Sequence, residues 1–543
     1  MPWVAAWNKV QLAADSDHQE TKLHVRSPDD PIRVKRPARI HPVPDYAADA
    51  VNTMITNLLD DFTQQLRTQE MDAVAAAGRW EKLKASVARR TRLCVRDRRR
   101  ALRNTLKQKL TRLVRQQQRL AAQQAEAPLT GRLDPVPGAP PRSVHDKADI
   151  LADAWQPILQ QPAAAAPYVD EVVGWDRPND TISPDQAAIA ANISEDEVRA
   201  ALRACKQGKA AGPDRLGNGW YRDYEDKLVA ILAALFNLWY NAGHFPQSFV
   251  EADIILAIRV GITLPTNIHP NQNGFVPGRT IHETLDLYEA AQRMVIADPD
   301  QHDATALLLD FKKAYDSLDR KYMIAVLRSK SYPEKFIRAV EATHEGTTVQ
   351  FLANGTKSRK IEVTSGIRQG CPLAPLLFIL ALDPLYRRLD GFMGIRGVVA
   401  QSAAGTFELR VAGYADDTAA FVRHPRDIPL LLQALETFGN ASGLQINTSK
   451  TMVIALHPDG PQSHMHLPSQ LQFQDRTAAS RYLGLLVGSK LAAGTAWKKA
   501  TEKLAVRLRL ASQKTLTVDQ RSLIAGAIIV PNLLYIARHE WPA

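Results

Sequence analysis

The stretch 407–422 constrains the fold of this chain more tightly than any other. Two short runs, 407–412 and 418–422, are rich in β-branched and aromatic residues and read as strands, although their alternation is imperfect. Between them stand Gly413 and the tetrad Tyr414-Ala415-Asp416-Asp417. Glycine and a pair of aspartates are a turn signal. The pattern predicts a hairpin carrying two adjacent carboxylates at its tip. Such a tip suits Mg²⁺, which takes hard oxygen ligands and only a few of them from protein. Two other Asp-Asp pairs, Asp29-Asp30 in a Pro-flanked stretch and Asp60-Asp61 in a polar helical stretch, read as solvated surface.

A second carboxylate sits upstream. The apolar run Ala306-Leu307-Leu308-Leu309 ends in Asp310, and the helix-compatible segment Phe311-Lys312-Lys313-Ala314-Tyr315-Asp316 follows. A buried strand that delivers a carboxylate at its C-terminal end is a common way to build a reactive centre. Asp310 beside Asp416 and Asp417 would cluster three like charges, which raise one another's pKa unless cations neutralise them. Two Mg²⁺ ions roughly 4 Å apart would do so, and would clamp the attacking and leaving oxygens of a phosphoryl transfer.

Asp310-x₄-Tyr315, the segment 366–373 (Gly-Ile-Arg-Gln-Gly-Cys-Pro-Leu) and Tyr414-Ala415-Asp416-Asp417 occur in the order of the palm motifs of reverse transcriptases, and resemble them. The segment 272–279 (Gln-Asn-Gly-Phe-Val-Pro-Gly-Arg), Gly443-Leu444-Gln445-Ile446-Asn447 with Lys450, and Tyr482-Leu483-Gly484 resemble the LINE type, encoded by non-LTR retrotransposons. The resemblance covers about residues 185–540. It implies an α/β or α+β fold: a right-hand polymerase palm with partial fingers, a short thumb and a helical N-terminal region.

The resemblance also implies roles. Asp310, Asp416 and Asp417, with the Phe311 carbonyl, would bind two Mg²⁺ ions, or Mn²⁺. Tyr315 would pack under the sugar of the incoming nucleotide, although core packing is an open alternative for it. Gln369 and Gly370 would contact the nucleotide and adjacent template base. Lys450 would protonate the leaving pyrophosphate, or be a surface lysine. Arg279 would be available for phosphate, and Tyr482 and Gly484 would lie against nucleic acid. The implied partners are an RNA template, a DNA primer and deoxynucleoside triphosphates. Intron-encoded or telomerase-like enzymes are a rival that the LINE-like segments argue against.

Composition sets the wider bounds. A net charge of +11 favours a polyanionic partner. The three cysteines, Cys94, Cys205 and Cys371, have no paired spacing, which excludes a disulfide framework and fits a reducing, intracellular compartment, nucleus or cytoplasm. No run approaches 18 uninterrupted apolar residues, so no membrane span is expected. The N-terminus lacks a signal-peptide layout, so secretion is not expected.

Taken in order, residues 1–27 contain Ser16-Asp17-His18 and Lys22-Leu23-His24-Val25, which resemble the closing strand of the endonuclease that precedes many LINE polymerases. A remnant this short is expected to have no nuclease activity. Residues 40–125 read as long basic helices. Within them, residues 79–119 hold 16 Lys or Arg against the two acids Glu81 and Asp97. Arg96, Arg98, Arg99 and Arg100 belong either to a phosphate-contacting arm or to a solvated scaffold helix. Residues 126–143 are a Pro-rich linker. Residues 144–250 form a helical lead-in, with a capped helix start at Ser194-Glu195-Asp196-Glu197.

Residues 251–490 read as fingers and palm, and 491–543 as thumb-like helices. One departure stands out. Glu251-Ala252-Asp253-Ile254 resembles the start of a fingers strand, and Ile255 onward resembles a helix that the family places several tens of residues later. The basic hairpin between them, which would hold triphosphate and template, is missing near 254–255. A catalytically inactive, nucleic-acid-binding retrotransposon remnant is therefore the alternative reading.

Overall fold

The computed structural model describes residues 40–118, 144–177, 180–205, 215–246, 251–353, 356–368, 371–402, 405–462, 471–492, 494–512 and 517–540. The endonuclease-like stretch, the Pro-rich linker, and Gln369 with Gly370 lie outside these residues.

All five residues of strand Thr305–Leu309 (β1) are buried. Successive strand side chains point to opposite faces, so this strand needs cover on both. Leu307 and Leu309 pack in one cluster with Tyr322, Leu377, Phe378 and Phe438. These come from helices Arg320–Ser329, Ala374–Gly391 and Ile428–Ser442. Ala306 and Leu308 pack in a second cluster with Leu285, Tyr288, Phe421 and Ile454, under helix Ile281–Ala297. The result is a mixed fold in which a sheet lies between two helical layers.

Four further strands complete the sheet: Val411–Tyr414 (β2), Asp417–Val422 (β3), Met452–Ala455 (β4) and Gln472–Phe473 (β5), in the order β5-β4-β1-β3-β2. All neighbours are antiparallel except β4 and β5. The predicted hairpin forms, but the run 407–412 divides. Gly405–Leu409 pairs with Val398–Ser402 in a separate ribbon, and only Val411 onward joins the sheet. Arg410 marks the break. Its guanidinium donates to the carbonyls of Ile395 and Asp390 at 2.8 and 2.6 Å, which anchors the chain between the two ribbons.

The N-terminal helices share the same core. Helices Asp45–Thr68 (α1) and Ala73–Gln118 (α2) meet through Phe62 and Trp80 at 5.9 Å. Trp80, Leu83 and Val87 are buried in the cluster that holds Leu307. Arg96, Arg98, Arg99 and Arg100 lie further along α2 and are exposed. The capped start at Ser194 is present as a reciprocal Ser194–Glu197 capping box.

The strand expected at 251–254 is not there. A single helix, Glu251–Asn267, runs through that stretch and through the junction at 254–255. Ile255, Leu256, Val260 and Leu264, on the C-terminal side of the junction, are buried at helical spacing. Its Arg259 is buried, pairs with Glu197 at 2.8 Å and donates to the carbonyls of Ile189, Ala191 and Asn192. No membrane span is expected from the sequence, yet the helical stretch Val518–Ala537 is long and apolar enough by length and composition to cross a membrane. Asp519, Gln520 and Arg521 interrupt it near its start. It is docked on the rest of the chain, where the Tyr535 hydroxyl donates to the Leu483 carbonyl.

A buried charge network ties the helices over β1. Lys330 Nζ lies 2.7 Å from Asp383 and 3.1 Å from Asp176. Burial pushes the Asp383 carboxyl up, but Lys330 and Arg387 outweigh it and hold the group below its usual range. Lys330→Met would leave two buried carboxylates without this partner. We predict a loss of about 3–5 kcal/mol in unfolding free energy, read from urea titration of tryptophan fluorescence. A loss below about 1 kcal/mol would mean that the network behaves like a surface pair.

Candidate active site

Asp310 follows the last residue of β1. The register pairs Leu309 with Thr418, so the next position places Asp310 opposite Asp417. Adjacent strands lie about 4.8 Å apart. The β2–β3 hairpin pairs Tyr414 with Asp417, and Ala415 turns the chain with a left-handed φ of 59°. Asp310 and Asp416 are half-buried and Asp417 is exposed. All three line one cavity of about 1080 Å³, together with Phe311, Tyr315 and Lys450. The sequence-predicted aspartates, distant in the chain, therefore converge.

Two flanking segments hold this arrangement. On one side is Gln272, buried and wrapped around Ala415. Its Oε1 accepts from the Ala415 N–H at 2.8 Å and the Gly274 N–H at 2.9 Å. Its Nε2 donates to the Ala415 carbonyl at 3.0 Å and to the Tyr386 hydroxyl at 3.2 Å. The backbone adds Asn273 N–H to Gly413 O and Gly413 N–H to Asn271 O, both at 2.9 Å. A Cβ at Gly274 would collide with the Ala415 backbone, which is why a glycine stands there. On the other side, Phe311 bridges Ile446. The Asn447 N–H donates to Asp310 O at 2.6 Å and the Lys312 N–H to Gln445 O at 2.8 Å. This antiparallel pattern turns the Phe311 carbonyl to the opposite edge, the side of β3 and its aspartates.

Sequence reasoning placed Gln272 and Asn447 inside motifs but assigned neither a role.

Other expected residues fall differently. Tyr315 is half-buried, stacks on Phe378 at 4.7 Å and lines the cavity, so its core and site readings coexist. Burial, with Asp416 nearby, pushes its hydroxyl well above its ordinary pKa. Lys450 is exposed on the cavity wall. Arg279 is not available for phosphate. Its two terminal nitrogens donate to the carbonyls of Pro265, Ile268, His269, Pro270 and Gln272, which fastens the end of helix Glu251–Asn267. Tyr482 is buried against Tyr288 at 5.8 Å and serves the core instead of nucleic acid. Gly484 is exposed, in a tight turn with Leu483 between strands Ser480–Tyr482 and Leu485–Val487.

The donor set fits a hard divalent cation. Among the described residues no three His, Cys, Asp or Glu close on one point as a ready metal cage. Mg²⁺ does not need one, because it keeps waters and takes substrate phosphates beside one or two carboxylates. Asp310, Asp416 and Asp417 on one open cavity can supply that number of carboxylates.

Residues 251–487 match the profile of the family described as reverse transcriptase (RNA-dependent DNA polymerase). That segment carries the reverse transcriptase match, and the chain is similar to proteins of R2 and jockey retrotransposable elements. It is 22% identical over 431 residues to the Pol polyprotein of the type-2 element R2DM of Drosophila melanogaster, across 72% of this chain and 38% of that protein. It is 25% identical over 378 residues to the Pol polyprotein of a type-1 R2 element of Nasonia vitripennis, across 63% of this chain and 35% of that protein. It is 22% identical over 274 residues to the RNA-directed DNA polymerase of the Drosophila melanogaster mobile element jockey, across 44% and 29%. The chain thus spans little more than a third of the R2 relatives.

If Gln272 fixes the aspartate turn, Gln272→Ala opens it locally. Each backbone group left unsatisfied costs about 1–3 kcal/mol. Amide exchange in peptides covering 411–422 is expected to accelerate at least about fivefold, while peptides from α1 keep their wild-type rates. Unchanged exchange at Ala415 would remove Gln272 from this role.

Proposed function

We propose that this chain is an RNA-directed DNA polymerase derived from a non-LTR retrotransposon, extending a primer 3′-hydroxyl with deoxynucleotides along an RNA template. One observation carries the reading: Asp310 and the Asp416-Asp417 pair share a cavity with Tyr315 and Lys450 inside a segment that matches this family. Residues 251–490 serve as fingers and palm and 491–543 as thumb, with 144–250 leading in. The three free cysteines support an intracellular setting, nucleus or cytoplasm.

In the reaction the primer 3′-hydroxyl gives its proton to water as its oxygen bonds to the α-phosphorus, the bond from that phosphorus to the oxygen of the β-phosphate breaks, and pyrophosphate leaves. Asp310, Asp416 and Asp417, with the Phe311 carbonyl, would hold two Mg²⁺ or Mn²⁺ ions, which supply charge neutralisation at the attacking and leaving oxygens. Tyr315, fixed against Phe378, sets the floor under the sugar. Lys450 provides the proton for pyrophosphate. Gln369 and Gly370 contact the nucleotide. Gln272 and Asn447 keep the carboxylates in place, because a displacement of about 1 Å costs roughly a hundredfold in rate.

We further propose that the reaction is slow. Helix Glu251–Asn267 occupies the stretch where related sequences place a basic hairpin, and Arg259 is committed to Glu197 and to backbone carbonyls. Primer extension on an RNA template with Mg²⁺ tests both claims. Weak extension is expected, abolished by Asp416→Ala, and increased when a basic fingers hairpin is restored at 254–255. Removing one charge-stabilising group typically costs about 10²–10³ in rate. Absence of extension by the restored chain, with RNA binding retained, would favour the inactive remnant.

The exposed arginines of α2 support a second contact with nucleic acid. Replacing Arg96, Arg98, Arg99 and Arg100 with Gln is expected to lower the slope of log affinity against log salt by roughly 3, at about 0.7–0.9 per lost phosphate contact. An unchanged slope would leave α2 as scaffold.

A further inference from the structure

Helix Val144–Leu159 (α3) lies outside the family-matched segment, yet Trp155 and Ile158 on it, and Gln161 beyond it, line the same cavity as the three aspartates. The helix is fastened there. The Arg359 guanidinium donates to Asp153 at 2.6 Å and to Gln156 at 2.7 Å, and the Arg359 N–H donates to Asp149 at 2.9 Å. The last carbonyls of α3 accept from the segment that runs toward Arg368. Leu159 O takes the Thr364 and Ser365 N–H groups at 3.0 and 3.2 Å, and Ile158 O takes the Ser365 hydroxyl at 2.8 Å. These bonds satisfy orphan groups at the helix end and fix where the next side chains point.

Trp155 is half-buried, against Phe351 on one side at 6.1 Å between ring centres. Over its ring lies Lys313 Nζ, 4.3 Å from the centroid. Lys313 and Lys312 are exposed, sit between Asp310 and Tyr315, and also line the cavity. The three carboxylates therefore face an aromatic ring and two ammonium groups across one space. A cation over an aromatic ring that is only half-buried is a modest contact, exchangeable for a better partner. A nucleotide offers a better partner to both members at once: a base with a π-face for the indole, and phosphates for the ammonium groups.

We infer that Trp155, with Lys312 and Lys313, forms a nucleotide subsite in which the indole stacks on the base of the incoming deoxynucleoside triphosphate and the lysines take its phosphates. On binding, Lys313 leaves the ring for the polyphosphate. The subsite supplies positive charge from within the Asp310–Tyr315 loop, independently of any fingers hairpin. It rests on the polymerase reading for the identity of the nucleotide, but not for its existence. The same chemistry is offered by a nucleotide within the template strand, and the experiment separates the two sources.

The full chain is titrated with deoxynucleoside triphosphate in the presence of primer–template, with Ca²⁺ in place of Mg²⁺ so that no bond forms. Primer–template affinity is measured separately without triphosphate, and KM and kcat follow in Mg²⁺. Trp155→Leu is expected to weaken triphosphate binding by about five- to a hundredfold, the range for removing a base-stacking aromatic. Trp155→Phe should recover most of that loss, and Lys313→Gln should weaken binding and reduce its salt dependence. KM should rise more than kcat falls, and primer–template affinity should not change.

Unchanged triphosphate affinity in Trp155→Leu would overturn the subsite. A loss confined to primer–template affinity would overturn it too, by assigning the ring to a strand. If Asp416→Ala abolishes extension while Trp155→Leu leaves KM untouched, the polymerase reading stands and the subsite falls. Triphosphate binding that needs Trp155 and Lys313, in a chain that never extends a primer, would keep the subsite and sink the polymerase reading. A wild-type chain that binds no triphosphate contradicts both.

Discussion

Bringing three carboxylates to one cavity opposes their mutual repulsion, and the fold around β1 is arranged to hold them there. Two edges carry that load. Gln272 saturates its amide on the Ala415 backbone, Gly274 and Tyr386, and so fixes a turn whose central residue has a left-handed φ. The stretch from Gln445 to Asn447 laces the end of β1 through Asp310 and Lys312 backbone groups. Both devices use hydrogen bonds from buried or paired backbone, which are costly to leave unmade. The sheet between them is covered on both faces, so neither edge can shift without disturbing two helical layers.

The matched segment does not build the cavity alone. Trp155 and Ile158 come from α3, and the first turns of α2 enter the same core as Leu307. The Lys330–Asp383–Asp176 network joins helices over β1 to the residues just before 177, and Asp383 also accepts the His269 N–H at 2.7 Å, next to the Gln272 clamp. Charge placement at the core thus leads, contact by contact, to the aspartate turn. The family-matched segment and its N-terminal helices share one buried core.

The aspartate hairpin was legible because strand-like runs and turn residues declare themselves locally, and Asp310 was legible because a buried strand ending in an acid is a short-range pattern. The Ser194 cap was legible for the same reason. Arg279 and Tyr482 were misassigned because their neighbours in space decide their roles: five carbonyls in one case, Tyr288 in the other. The strand expected at 251–254 is absent because one helix, Glu251–Asn267, spans the junction. Trp155 was invisible for a different reason, since nothing in its helix says which cavity the helix will border.

If Asp310 and the Asp416-Asp417 turn hold a divalent cation between them, both lie within reach of a radical generated at that ion. Fe²⁺ in place of Mg²⁺, with ascorbate and peroxide, cuts a backbone beside the bound ion. Cuts are expected close to residue 310 and close to residues 414–417, rising together with Fe²⁺ and both suppressed by excess Mg²⁺ and by Asp416→Asn. Cutting at one of these places without the other, or at neither while the chain is folded, would contradict a cation shared between them.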